Sequence, residues 1–524
     1  MDEGTLVRRF MDADMQLTRG ALEMLRERED AEVTVDRVLK ALTETEGRPF
    51  MITPDIITKV LGSLQPQPEQ LHSIQPTVPA AEVVAESKPD LEAKRLPELA
   101  HIKFKPIAAE YEARVEVLKD ITGRSYSEGE LKDFVGLFKD RYERLSRLLR
   151  KRVELQDSVP IGSLRNIGDR EQVKVIGMVS QKRESSAGNV IVDLEDPTGR
   201  ISAFVFKGRG ELTRKAAEVV LDEVIGVMGS LRSGDVAPRL FVRDIIWPDL
   251  PVKHELHRAD DPVCAALISD LHVGSEMFVE GLFSNFIKWL RGEADSLEQQ
   301  ELASRVKYIV LAGDVVDGIG VYPRQEEELL IDDIFKQYET AAKLIAQIPE
   351  HITIIIAPGN HDAVRPSEPQ PAISKNLAEG LYELNSVMVG NPAKVSLHGV
   401  NFLVYHGRSF DDIVATMPGL DRHDPVSIMI KLLQKRHLAP IYGGRTAISP
   451  EQQDYMVIEE APDVFHCGHV HVQGCTRYRD VSVINSGTFQ EITNYMRQLG
   501  VKPTPGIVPV LDLQTHQTKV IHLA

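Results

Sequence analysis

Apolar positions along this 524-residue chain change their period from one stretch to the next, and the changes divide it into segments. In residues 1–62 they recur three or four apart. Leu6, Phe10, Met15, Leu17, Leu22 and Leu25 alternate with acids and bases, and the pattern resumes at Asp36 and Pro54 before stopping at Gly62. That period predicts a small helical module, suited to docking and too small for a separate enzyme. Residues 63–96 exchange large apolar side chains for Pro, Gln, Glu and Ala, as expected of a flexible linker. Residues 97–155 return to the helical period, with Phe134, Leu137, Phe138, Tyr142, Leu145 and Leu149 on one stripe. Opposite stand Lys132, Lys139, Arg141, Arg144, Arg147, Arg150, Lys151 and Arg152, read either as a solvated helix face or as a surface that tracks phosphates.

From 156 to 251 the period falls to two. Strands are expected near 173–179, 190–194, 201–206, 224–228 and 239–246, with a helix across 212–221 and a turn at Glu195-Asp196-Pro197-Thr198-Gly199. Five strands with a helix in the second half suit a small oligonucleotide-binding barrel, although a short β-sandwich reads alike. Such barrels take single strands or other proteins. Phe204, Phe206 and Phe241 either line a binding face or fill the interior.

Residues 260–524 alternate short β-branched runs with helices near 277–291 and 332–348, the pattern of an α/β sandwich. Five runs end on potential metal ligands. Residues 263–269 lead to Asp270 and His272, 308–312 to Asp314 and Asp317, and 352–356 to Asn360, His361 and Asp362. Residues 400–405 lead to His406, and 464–467 to His469 and His471. An isolated Asn-His-Asp triplet is as readily a helix cap, and a single His after a strand is usually structural. Five such runs in one chain argue for a site at the carboxyl edge of a sheet. Mixed carboxylate and imidazole ligands favour Mn²⁺, Fe or Zn²⁺ over Mg²⁺ or Ca²⁺. The supply exceeds what one tetrahedral ion uses and fits two ions bridged by a shared carboxylate. No phosphate-binding glycine loop, serine-nucleophile motif or dinucleotide fingerprint competes.

Charge and composition narrow the partners. A net charge of −17 argues against a broad basic surface for nucleic acid, so any such substrate must be held by a local patch, by metal ions or by a partner. Three cysteines, no leader-like apolar stretch at the N-terminus and no apolar run near the roughly 18 residues of a membrane span predict a cytoplasmic protein without disulfides.

Asp270-x-His272, Gly313-Asp314-x-x-Asp317-Gly318, Gly359-Asn360-His361-Asp362, His406 and Gly468-His469-x-His471 resemble the calcineurin-like metallophosphoesterases over about half the chain. The resemblance implies one metal on Asp270, His272, Asp314 and His471 and a second on Asp314, Asn360, His406 and His469, with Asp314 as the bridge. It implies that His361 protonates the leaving oxygen or stabilises the transition-state charge, and that Asp317 orients His361. His466 matches no ligand position and is expected to be a buried, hydrogen-bonded histidine. The linker, basic helix, barrel and phosphoesterase order resembles the small subunits of archaeal family-D DNA polymerase. Asp133-Phe-Val-Gly-Leu-Phe-Lys-Asp-Arg-Tyr, Glu195-Asp-Pro-Thr-Gly, Arg436-His-Leu-Ala-Pro-Ile-Tyr-Gly-Gly-Arg and Lys502-Pro-Thr-Pro-Gly carry that likeness. It implies a 3′→5′ exonuclease that proofreads for a separate large catalytic subunit and acts on DNA with a 3′ end. A structural accessory subunit without nuclease activity and a free-standing phosphodiesterase are the alternatives. The expected fold class is a multidomain α/β protein: a helical module (1–62), a linker (63–96), a helical segment with a basic face (97–155), an oligonucleotide-binding barrel (156–251) and an α/β sandwich metallophosphoesterase domain (260–524).

Overall fold

A computed structural model describes residues 104–232 and 238–523, together with short pieces of the first sixty residues (9–10, 16–17, 19–26, 34–35, 38–40, 51–52, 56–57 and 60). The chain forms two compact units, Met1–Asp90 and Leu91–Ala524. In the first, β1 (Gln16–Leu17) pairs in parallel with β2 (Met51–Ile52), and helix α1 (Arg19–Arg26) supplies Ala21 and Leu25 to a small core with Phe10, Val35, Val38, Ile52 and Ile57. Leu17, read from its spacing as helical, therefore lies in a strand. The expected linker, 63–96, lies outside the described residues.

The segment 97–155 is not helical throughout. Strand β3 (Val115–Lys119) adds to the edge of a sheet formed mostly by the C-terminal part of the chain. Among the described residues of this segment, only helix α2 (Leu131–Arg150) follows the α-helical period, opened by a capping box between Glu130 and Asp133. Its apolar stripe is buried at Leu137, Leu145 and Leu149 and half-buried at Phe134, Phe138 and Tyr142, but its basic face is only partly one. Arg141 and Arg144 are buried, Arg141 through Nε to Asp454 Oδ2 (2.7 Å) and Arg144 through Nη1 to the Asp454 carbonyl (2.7 Å). A 3.6-residue period cannot distinguish a guanidinium facing water from one facing a buried carboxylate some three hundred residues away.

The barrel closes in the order β4 (Gln172–Glu184), β5 (Val190–Asp196), β6 (Gly199–Val205), β8 (Arg239–Ile246), β7 (Val224–Arg232), with α3 (Glu211–Glu218) between β6 and β7. Alternation places Val192, Leu194, Ile201, Ala203, Leu240 and Val242 inside. Phe204, Phe206 and Phe241 sit on the outer face. The Phe241 ring lies 6.0 Å from that of Phe204 and 5.3 Å from that of Phe206, and the guanidinium groups of Arg239, Arg209 and Arg232 lie over the three rings at 5.5–5.9 Å.

Beyond the barrel, two six-stranded sheets stack into a sandwich with helices outside each sheet. The first sheet is built from β9 (Cys264–Ile268), which precedes α4 (Glu280–Leu290) and α5 (Leu297–Ser304), and from β10 (Val306–Ala312). Helix α6 (Ile334–Ile345) leads to β11 (Thr353–Ala357) and α7 (Glu379–Tyr382) to β12 (Ser386–Met388). The second sheet holds β13 (Ala393–Leu397) and β14 (Val400–Val404), then, after α8 (Phe410–Thr416) and α9 (Pro425–Lys435), β15 (Val464–Cys467), β16 (Gly474–Tyr478) and β17 (Val481–Asn485). After α10 (Asn494–Leu499), β18 (Ile507–Asp512) and β19 (Thr518–His522) return to the first sheet, giving the order β12-β11-β10-β9-β18-β19. Strands β9, β10 and β11 are mutually parallel neighbours, as are β14 and β15 in the other sheet. Every residue of β9, β10 and β11 is buried, as parallel strands covered on both faces require.

The barrel is bolted to the sandwich. Lys435 Nζ meets Glu223 Oε2 at 2.6 Å in a buried pair that Trp247 Nε1 also joins (2.9 Å). Helix α2 lies across both, since Arg141 also donates to the Pro440 carbonyl (2.7 Å) and the Asp222 carbonyl (3.2 Å). His437 Nε2 approaches Asp454 Oδ2 at 2.8 Å, completing an Arg-Asp-His cluster under the helix.

Candidate metal centre

Parallel neighbours end at the same edge. The residues after β9, β10 and β11 therefore meet those after β14 and β15 at one end of the sandwich. The turn that follows each strand is tight. Asp270 (φ 54°), His272 (φ 52°), Asp314 (φ 53°), His469 (φ 71°) and His471 (φ 60°) all adopt the left-handed conformation, uncommon for residues other than glycine. Each such turn costs on the order of 1–3 kcal/mol and persists only where the surroundings enforce it. Two motif glycines have steric reasons. A Cβ on Gly313 would lie 2.5 Å from His406 Nδ1, and one on Gly359 would collide with Asp314.

The ligand atoms of Asp270, His272 and His471 lie within 4.8 Å of one another, as do those of Asp270, Asp314 and His406 and those of His272, Asp314 and His361. Asn360 Oδ1 is 3.1 Å from His406 Nε2. His469 stands slightly apart, its ring centroid 5.1 Å from that of His406 and its Nε2 3.6 Å from Asp411 Oδ2. The seven residues expected as ligands are thus gathered at one place.

The hydrogen bonds show what this place is built for. His272 Nδ1 pairs with Asp317 Oδ1 at 2.9 Å, which turns a bare Nε2 towards His471 Nε2 at 3.0 Å. His406 Nδ1 faces the Ala312 carbonyl at 2.9 Å, which likewise turns Nε2 towards Asn360 Oδ1 and, at 3.3 Å, Asp314 Oδ2. Ring nitrogens and carboxylate oxygens thus face one another in a buried cluster, where shared protons or bound cations offset the repulsion. Burial disfavours charge on His406, yet Asp314 and Asp270 override it and raise its pKa to about 10. Burial also opposes ionisation of Asp314, but His406, His361 and His272 hold its carboxyl well below the usual carboxylate range. Among the described residues, no Lys or Arg pairs with Asp270 or Asp314. The donor set fits divalent ions with nitrogen and oxygen ligands.

One expected role is placed differently. His361 Nδ1 meets the backbone carbonyl of Asp317 at 2.8 Å, while the Asp317 carboxylate is 3.9 Å away and occupied by His272, Gln325 and Gln490. Asp317 therefore orients His361 through its main chain and His272 through its side chain. Asp362 instead ties neighbouring loops together. It accepts from the backbone N–H groups of Gly359 (2.9 Å), Val315 (3.2 Å) and Val316 (3.4 Å) and from the Tyr338 hydroxyl (3.1 Å), and burial with the nearby Asp314 charge raises its pKa to about 7. His466 is buried with Nε2 on Ser486 Oγ at 2.8 Å, as expected of a structural histidine.

Sequence spacing missed the residues behind the ligands. Asp411 on α8 links Arg422 (2.7 Å) to His469, and Gln325 and Gln490 fix Asp317. Such outer partners set ligand orientation and basicity. None follows a strand, so the pattern that marked the ligands carries no signal for them. In front of the centre opens a cleft of about 490 Å³, walled by Asn360, His361, Arg408, Arg445, Tyr322 and Tyr495 among others.

A closed barrel joined to a two-sheet sandwich, with an acid and histidine cluster at the sandwich edge, defines a class of two-part proteins whose likeness to known chains is specific. Residues 265–475 match the family of the DNA polymerase alpha/epsilon B subunit, and residues 173–246 match the OB-fold nucleic acid binding domain. The chain is 44% identical over 407 residues to the DNA polymerase II small subunit of Methanothermobacter thermautotrophicus, covering 78% of this chain and 83% of that protein. It is 40% identical over 438 residues to the protein of that name from Methanocaldococcus jannaschii, covering 81% and 73%. It is 44% identical over 396 residues to the one from Archaeoglobus fulgidus, covering 76% and 78%. The chain belongs to the family of archaeal DNA polymerase II small subunits.

Proposed function

We propose that the chain is a metal-dependent 3′→5′ exonuclease, a calcineurin-like metallophosphoesterase that proofreads for the large catalytic subunit of a cytoplasmic replicative DNA polymerase. The observation that carries this reading is the buried meeting of imidazole nitrogens and carboxylates at the strand ends, a donor set suited to divalent cations. Two divalent ions, Mn²⁺ by preference with Fe, Zn²⁺ or Mg²⁺ as alternatives, held by Asp270, His272, Asp314 and His471 and by Asp314, Asn360, His406 and His469, would supply Lewis acidity and an activated water. The protein's own groups do the rest. Asp317 holds His272 in the tautomer that offers Nε2. The Asp317 carbonyl, taking His361 Nδ1, leaves His361 Nε2 towards the cleft, where a protonated imidazole can give its proton to the leaving 3′ oxygen. The polymerase assembly and the DNA end follow from the family and from the implied chemistry of the motifs.

The test is the full chain, supplied with Mn²⁺, on a single strand labelled at its 5′ end and on a duplex with a mismatched 3′ end. A ladder shortening from the 3′ end, absent in Asp314→Asn, is expected. Intact DNA with two metals bound would overturn the nuclease reading and leave a structural subunit. Hydrolysis of a small phosphomonoester but not of DNA would favour a free-standing phosphoesterase.

A further inference from the structure

The strongly acidic chain must draw a polyanion to a centre that itself contains buried carboxylates, and the cleft contains groups suited to that task. Arg408 lies two residues after His406, and its Nε is enclosed without a hydrogen-bond partner. Arg445 projects from the loop after α9 into the same cleft. Among the described residues, neither side chain makes a hydrogen bond or ion pair. Arg422, the third arginine of the wall, is neutralised by Asp411 at 2.7 Å. A guanidinium left unpaired in a partly enclosed wall is costly unless an anion visits it. Across the cleft, Tyr322 and Tyr495 stack with ring centroids 5.2 Å apart and planes 19° from parallel. The Tyr322 ring centroid is 6.0 Å from that of His361, and its hydroxyl is tied to Glu328 Oε2 at 3.0 Å. Tyr495 lines the cleft and is 42% exposed.

We propose that this cleft binds the last nucleotides of a single strand irrespective of sequence, Arg408 and Arg445 holding backbone phosphates and the Tyr322–Tyr495 pair stacking the terminal base. The proposal rests on the nuclease reading for its substrate and deepens it by assigning the groups that seat the strand. Backbone pairing with base stacking is the general chemistry of sequence-tolerant single-strand binding. It also favours frayed or mismatched ends, because a base must leave its stack in the duplex to reach the tyrosines. Arg408 sits beside the centre, whereas Arg445 is exposed on the rim, so together they can hold successive phosphates.

The experiment measures binding, so that it stands apart from turnover. Fluorescence anisotropy would follow the Mn²⁺-loaded full chain with a short labelled phosphorothioate oligothymidine, and with the same strand lacking its 3′-terminal base. The Arg408→Gln/Arg445→Gln double variant is expected to bind at least tenfold more weakly. Its log–log salt slope should be smaller by about 1.4, the loss of two phosphate contacts on a single strand. Tyr495→Ala should bind the intact strand roughly tenfold more weakly and should no longer distinguish it from the strand lacking the base. Thermal melting checks that both variants are folded. Wild-type affinity and salt slope in the double variant, or continued base discrimination in Tyr495→Ala, would overturn the proposal. Tight strand binding by a wild-type chain that hydrolyses no phosphodiester would instead overturn the nuclease reading and leave this one standing.

Discussion

In the barrel, side chains alternate between an apolar interior and the surface. Among its described residues the left-handed positions are Gly188, Gly208 and Gly210 together with Arg170, Asp222 and Asp249, none of them buried. At the ligand edge of the sandwich, left-handed turns fall on Asp270, His272, Asp314, His469 and His471, all within the protein and all polar. The barrel keeps its left-handed residues out of its core. The ligand edge accepts strain together with buried like charges, and the fully buried strands β9, β10 and β11 beneath it hold the turns in place. The difference teaches where each region is vulnerable: barrel changes should act on stability in graded fashion, and changes at the ligand edge on chemistry and abruptly.

The largest effect expected is from Asp314→Asn. Losing the carboxylate shared by both ligand groups should take phosphodiester hydrolysis to background and lower the bound metal measured by elemental analysis. Near-normal hydrolysis would dissolve the contrast. His361→Ala comes next, at roughly 10² to 10⁴ in rate, with full metal content. A substrate with an activated leaving group should restore much of its rate but none of the rate of His406→Ala. Because His361 also lies within reach of His272 and Asp314, loss of a metal from His361→Ala would make it a ligand instead of the acid.

Asp454→Ala tests the seam between the regions. It leaves Arg141, fully buried, without its carboxylate, and should cost roughly 3–5 kcal/mol in denaturant unfolding. Truncation before residue 156 would remove β3 and α2 altogether and is expected to prevent folding. In the barrel interior, Leu240→Ala should cost about 2–5 kcal/mol, while the rate per folded molecule stays that of the wild type. A disproportionate loss of rate would show that the barrel shapes the centre.

The smallest effect is a pH dependence at the same seam. Burial first, then the neighbouring Arg141, lowers the pKa of His437 to about 4 in the fold. The unfolded chain, where the pKa is about 6.5, therefore binds the proton more readily. Stability is full above that value and is lost as pH falls through 6.5 towards 4, by on the order of 3 kcal/mol. His437→Gln keeps a donor for Asp454 without the titration. Its acid limb should be shallower by one proton, and an unchanged limb would exclude His437.

Much of this was legible because short-range patterns carry it. The five barrel strands and their closing helix followed from alternation, since each strand has one wet and one dry face. The candidate ligands were legible because β-branched runs end abruptly on Asp, His and Asn, and parallel strands must end at one edge. Other features have no local signature. Strand β3 reads as part of a helical stretch until β13 supplies its partner, and β18 crosses back between β9 and β19 by a route no spacing records.

The same division holds residue by residue. By itself the sequence determined the chemical inventory: which side chains can ligate, which face of a segment is apolar and where a strand must stop. Tertiary structure alone decided the pairings made across hundreds of residues. It turned Arg141 and Arg144 from a basic face into a buried clamp on Asp454, gave the Asp317 carboxylate to His272 while leaving His361 the carbonyl, and brought Asp411 behind His469. The reason is physical. Periodicity reports whether a position meets water or protein, but the identity of a buried polar partner depends on the dense packing that brings distant segments together, and no window along the chain contains both members of the pair.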